Sequence, residues 1–219
     1  MSRARAVIFD MDGVLVDSGV YHRKAWRALL EELGAGPRDP EFWRLTIGRP
    51  VEAALPALLG RRLSSQEIAR YSKRKTDLYH RFADGQFQPV AGAVGFVRAL
   101  TALGVPRAIA TSASPRSVTA VLSALDLVRQ FPVVVTADDV ISGKPDPEVY
   151  LLAALRLEVA PGACIVFEDS LVGLEAARRA GMRSIGLSTT HTEAELRAAG
   201  AMHVVADFEG LTWESIALE

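Results

Sequence analysis

From residue 105 onward the chain alternates short, β-rich apolar runs with segments of helical spacing, and this alternation restricts the fold sharply. "RAIATSAS", "FPVVVTADD", "ACIVFEDS", "RSIGLSTT" and "HVVAD" read as strands; 115–125, "DPEVYLLAALRL", the segment leading to Ala180 and "TEAELRAAG" read as helices. Strands separated by helices predict a parallel sheet covered on both faces. One further strand stands far away in sequence, at residues 5–10. The stretch between contains only helical patterns. Trp26, Leu29, Leu30 and Leu33 fall at i, i+3, i+4 and i+7 of an amphipathic helix ending near Gly34 and Gly36, and more helical pattern follows at about 40–46, 50–59 and 64–84. The expectation is an α/β core built from 1–16 and 86–219, with 17–85 inserted as a helical unit.

Ligands of open α/β sheets bind beyond the carboxyl ends of the strands, so those ends carry the functional information. The first strand runs through Val7, Ile8 and Phe9 into Asp10 and Asp12. The next ends in Thr111, Ser112 and Ser114, the following one leads to Lys144, and the next ends in Glu168 and Asp169. Carboxylates, hydroxyls and one lysine therefore converge on one sheet edge. Two like charges at positions 10 and 12 need a compensating cation in a dry site. An oxygen-only set with Glu168 and Asp169 suits Mg²⁺, which takes a few carboxylates, waters and phosphate oxygens. Ser112 and Lys144 supply donors for a phosphate.

Each motif alone has a plainer reading. "DMDG" is no calcium loop, because Val14, Leu15 and Tyr21 stand where a ligand, a glycine and a glutamate are required. "GK" at 143–144 is no nucleotide loop, because Asp138 and Pro145 break its pattern. "FEDS" alone would serve as a helix cap. Cys164 reads as a packing residue in an apolar strand, and His80, His191 and His203 read as surface or packing residues.

Composition sets the outer limits. The net charge of −1 excludes the basic footprint of a nucleic-acid binder, and the single cysteine excludes an internal disulfide. No apolar stretch approaches the ~20 residues of a membrane helix, and Asp10 interrupts the first apolar run too early for a signal peptide. A cytoplasmic monomer is expected, without a nucleic-acid or membrane partner.

With "DMDG" at 10–13, "TSAS" at 111–114, Lys144 in "SGKPDP" and "EDS" at 168–170 in this order, the chain resembles the haloacid dehalogenase superfamily over nearly its whole length. It looks most like the branch of β-phosphoglucomutases and sugar-phosphate phosphatases. The resemblance implies a doubly wound Rossmannoid core with a helical cap after the first strand. It implies Mg²⁺-dependent phosphoryl transfer from a small phosphorylated metabolite through an aspartyl-phosphate. Asp10 would be the nucleophile and Asp12 the general acid and base. Asp10, the Asp12 backbone carbonyl and Asp169 would hold Mg²⁺, with Glu168 ligating directly or through water, while Ser112, the Ala113 backbone and Lys144 would bind phosphate. His22, Trp26, Arg49 and Lys75 of the cap would meet the substrate; Trp26 also lies on an apolar helix stripe and reads equally as core.

One departure bears on the reaction. Val51 stands where β-phosphoglucomutases hold the second phosphate with an arginine, Ile47 stands where a cap lysine is expected, and Arg49 is close but offset. Hydrolysis is therefore favoured over mutase chemistry. A non-catalytic binding member of the fold is a third reading, opposed by the intact acidic and basic set.

Overall fold

In the computed structural model, residues 4–36, 42–49, 51–83 and 85–217 are described. β1 (Ala6–Phe9) is fully buried and lies at the centre of a six-stranded sheet. Its side chains alternate between two cores, Val7 and Phe9 facing one and Ala6 and Ile8 the other, as the period of two requires. β2 (Arg107–Ala110) and β3 (Val133–Val135) continue the sheet on one side, and β4 (Cys164–Glu168), β5 (Arg183–Leu187) and β6 (His203–Val205) on the other. All five pairings are parallel, in the order β3-β2-β1-β4-β5-β6. The sheet is therefore doubly wound, and β1 and β4 flank the point where the strand order reverses, where such sheets place their ligands.

One core contains the rings of Phe9, Phe96, Phe167 and Phe208, with Phe9 stacked on Phe167 at 5.3 Å between centroids. Burial of each such side chain contributes about 1.5–3 kcal/mol. That packing fixes the strand ends carrying Asp10 and Glu168.

The first three α-helices after β1 have their own core. α1 (Gly19–Glu32), α2 (Val51–Leu59) and α3 (Ser65–Ala83) bury Ala25, Trp26, Leu29, Leu30, Leu55, Leu78 and Tyr79 together. The helix expected at about 40–46 is a short 3-10 turn, Phe42–Leu45, among the described residues; 40 and 41 lie outside them, as do 50 and 84 at the ends of the next two expected helices. α4 (Ala93–Ala102), α5 (Pro115–Ala124), α6 (Glu148–Arg156), α7 (Leu171–Arg179) and α8 (Glu193–Ala198) follow, and α9 (Trp213–Ala217) completes the described chain. Among the described residues no helix is long and apolar enough to cross a membrane.

Candidate active site

Between the carboxyl edge of the sheet and helices α1–α3 lies a cavity of about 350 Å³. Asp10, Asp12, Ser112, Ala113 and Asp169 line it from the sheet side, and His22, Trp26, Arg49 and Lys75 from the helical side. Expected residues from distant segments of the chain are thus brought to one space, while Lys144 does not line it. Trp26 is 2% exposed within the helical core and also lines the cavity wall. Ile47 and Val51 line the same wall.

Asp10 follows β1 directly, and its N–H donates to the carbonyl of Phe167 on β4. The chain then turns sharply. Gly13 has φ +77°, and a Cβ there would stand 2.1 Å from Asp169 Oδ2. Glycine is required here for the backbone conformation and for the approach of Asp169.

Lys144 lies under Asp10, almost wholly buried. Its Nζ donates to Asp10 Oδ1 at 2.7 Å and to Glu168 Oε1 at 2.6 Å. Glu168 is turned toward the protein interior. It does not line the cavity. Its Oε1 also accepts from the Tyr150 hydroxyl at 2.9 Å, and its Oε2 accepts from the Ser170 N–H and hydroxyl at 2.7 and 2.9 Å. Both oxygens are engaged by the protein, so the group it visibly holds is Lys144. The expected Ala113 amide also has a local partner, the Thr111 hydroxyl at 3.1 Å. Ser112 Oγ makes a long contact of 3.4 Å to the Gly48 carbonyl, joining the helical unit to the sheet edge.

Asp10, Glu168 and Asp169 place three carboxylates in buried positions against the single ammonium of Lys144. Burial, with Glu168 and Asp12 adding to it against the pull of Lys144, raises Asp10 to about 7. Burial and the charges of Glu168 and Asp10 hold Asp169 well above the ordinary carboxylate range. An excess of buried negative charge is stabilised by a cation. Among the described residues no three carboxylates form a ready-made metal cage; Mg²⁺ does not need one, because it retains waters and substrate phosphate oxygens. The donor set fits that ion.

Asp12 is surrounded differently. Its Oδ1 accepts from Ser18 Oγ at 2.5 Å and lies 3.0 Å from His22 Nε2, while His22 Nδ1 lies 2.6 Å from Lys75 Nζ. The ammonium of Lys75 only donates, so Nδ1 accepts and Nε2 carries the proton given to Asp12. Burial and the Lys75 charge lower the pKa of His22, which favours this neutral form. Burial alone would raise Asp12, but His22 and the Ser18 hydroxyl bring it down to about 2. Burial lowers Lys75 to about 8. The His22 ring stacks on Tyr79 at 4.3 Å, which fixes its plane.

Ser18, Tyr79, Tyr150, Thr189 and Thr190 are the neighbours that sequence reading missed. Thr189 and Thr190 had a signal: "STT" closes the strand-like run "RSIGLSTT", so its hydroxyls fall at the same sheet edge. Tyr79 and Tyr150 had none, since each meets its partner only through long-range packing. His80 and His191 do more than pack: His80 Nε2 lies 3.3 Å from Ser117 Oγ, and His191 Nδ1 lies 3.0 Å from the carbonyl oxygen of Asp169.

A doubly wound sheet with paired aspartates after its first strand, a buried lysine and an acidic fourth strand end defines a phosphotransferase-like hydrolase site. The chain belongs to the haloacid dehalogenase-like hydrolases, whose family model matches residues 4–181. It is 36% identical over 180 residues to a phosphorylated carbohydrates phosphatase of Thermotoga maritima, covering 82% of this chain and 83% of the relative. A hydrolase from Pseudomonas syringae superposes with a TM-score of 0.89 at 30% identity, over 97% of this chain and 99% of the other. A β-phosphoglucomutase from Clostridium difficile gives 0.86 at 27% identity, over 97% and 95%.

Proposed function

We propose that this hydrolase releases phosphate from a small phosphorylated metabolite, such as a sugar phosphate, in a Mg²⁺-dependent reaction through a phosphoaspartate on Asp10. The observation that carries the reading is the convergence of Asp10, Asp12, Ser112 and Asp169 on one cavity, with Lys144 held beneath Asp10. Asp10 attacks phosphorus, and the bond from phosphorus to the leaving oxygen breaks while Asp12 gives that oxygen a proton. Asp12 then takes a proton from the water that attacks the phosphoaspartate, and phosphate leaves as the bond to Asp10 breaks. With a pKa of about 2, Asp12 is ionised before substrate arrives; it takes up from solvent the proton that it then gives to the leaving oxygen, an uptake favoured by the negative charge of the incoming phosphate, which raises its pKa.

Asp10, Asp169 and the backbone carbonyl of Asp12 would hold Mg²⁺, with Glu168 fixing Lys144 beside them. When bound, the cation supplies positive charge to the carboxylates and to the phosphoryl oxygens. Ser112, the Ala113 amide and Lys144 stabilise charge on the transferring group. Residues 17–85 act as a cap that excludes water and selects the substrate through His22, Trp26, Arg49 and Lys75.

Phosphatase is favoured over phosphomutase by Ile47 and Val51, which give the cavity an apolar wall where a mutase of the resembling branch would grip a second phosphate. The test is a phosphate-release screen across phosphorylated metabolites, beside an assay for conversion of a sugar 1-phosphate to the 6-phosphate. Phosphate release is expected with Mg²⁺, lost on chelation and restored poorly by Ca²⁺, whose looser coordination misplaces the phosphoryl group. Full activity in chelator would remove the cation from the reaction, and isomer formation outpacing release would favour the mutase.

A further inference from the structure

The loop after β5 is absent from the chemistry above, yet it touches both segments that carry the reacting acids. Three consecutive residues make the contacts. The Thr189 hydroxyl donates to the carbonyl of Gly13 at 2.6 Å, next to Asp12 in the chain. The Thr190 hydroxyl donates to Asp169 Oδ2. His191, 8% exposed, places Nδ1 3.0 Å from the Asp169 carbonyl oxygen. A carbonyl only accepts, so Nδ1 carries the proton.

The loop is pinned at both ends. At its start the Ser188 N–H donates to the Val205 carbonyl at 3.0 Å. At its end Thr192 caps α8 in a reciprocal box with Glu195. The register Glu168↔Gly186 sets Asp169 beside this loop, so the contacts follow from strand pairing. Asp169 is thereby held at its backbone and at one carboxylate oxygen. Among the described residues Oδ1 has no hydrogen bond from the protein, and Asp169 lines the cavity.

We propose that Thr189, Thr190 and His191 form a positioning clamp that fixes Asp169 against the Asp10–Gly13 turn, and that the Thr190 hydroxyl thereby sets the affinity of the site for its divalent cation. The inference rests on the reading of Asp169 as a cation ligand. A carboxylate with one oxygen fixed by a hydroxyl loses less rotational freedom on coordination, and loss of such outer partners costs roughly 10–100-fold in metal affinity. Thr189 and Thr190 also line the cavity, but their hydroxyls are engaged by the Gly13 carbonyl and by Asp169, so the effect on the cation passes through Asp169.

The test is a Mn²⁺ titration of the whole protein, without substrate, followed by the electron paramagnetic resonance signal of free Mn²⁺. Thr190→Val is expected to weaken Mn²⁺ binding about 10-fold or more, and Thr190→Ser to restore it. In turnover, the Thr190→Val protein should require more Mg²⁺ for half-maximal activity, and the Thr190→Ser protein should not. Thr190→Ala removes the hydroxyl without adding a methyl and serves if the valine variant does not fold. Wild-type affinity in either folded variant would overturn the clamp while leaving the cation site standing. No Mn²⁺ binding by the wild-type protein would overturn the reading of Asp169 and the clamp with it.

Discussion

Asp10→Asn is expected to lower kcat by at least about 10⁴-fold, a loss of the order seen when a covalent nucleophile is removed, and to leave the protein folded. Asparagine keeps the size and one acceptor oxygen. Lys144 retains Glu168 as a partner at 2.6 Å, so its ammonium is not left alone in the interior. What disappears is the proposed nucleophile and one proposed cation ligand. Thermal stability should be unchanged or higher. Because burial raises Asp10 to about 7, folding disfavours its charged form at every pH above the ordinary carboxylate value, and a neutral amide relieves that cost. The checks are phosphate release by the purified variant and its melting temperature by circular dichroism. Near-normal turnover in a folded Asp10→Asn protein would remove Asp10 from the reaction.

Asp12→Asn should cost about 10²–10⁴-fold on an alkyl phosphate, the range for loss of a positioned acid–base group. On p-nitrophenyl phosphate the loss in the first step should be much smaller, because that leaving group departs without a proton. The site can accommodate the change. An amide oxygen in place of Oδ1 accepts from Ser18 and His22 as the carboxylate does. The chain from Lys75 through His22 would persist, but it would end on a group that neither gives nor takes a proton at neutral pH. Comparing kcat/KM across leaving groups measures this, and an equal loss on good and poor leaving groups would contradict an acid role.

Much of this arrangement is legible in the sequence because a parallel sheet converts strand ends into neighbours. Asp10, Ser112, Lys144 and Asp169 are far apart in the chain, yet each follows an apolar β-rich run or the loop after one, and the sheet places those ends together. The roles within the cluster are less legible. Glu168 and Asp169 are adjacent letters, but successive residues at a strand end point in different directions. Asp169 reaches the cavity, while Glu168 turns inward to Lys144, Tyr150 and Ser170. Tyr150 lies on α6, and no local pattern announces that its hydroxyl meets a glutamate on β4. The link from Lys75 to His22 joins α3 to α1 across 53 positions and depends on how two helices pack. The fifth strand end carried a signal that admits a second reading. Threonine favours strands as well as binding loops, so Thr189 and Thr190 read as the continuation of β5, which stops at Leu187.

Direct attack of water on the substrate and attack by Asp10 differ in the number of displacements at phosphorus. The most direct measurement is therefore the stereochemical course of phosphoryl transfer, using a substrate made chiral at phosphorus with oxygen and sulfur isotopes and substituents. Two in-line displacements, first by Asp10 and then by water, predict overall retention of configuration in the released phosphate. Inversion would mean a single displacement and would contradict a phosphoaspartate on Asp10.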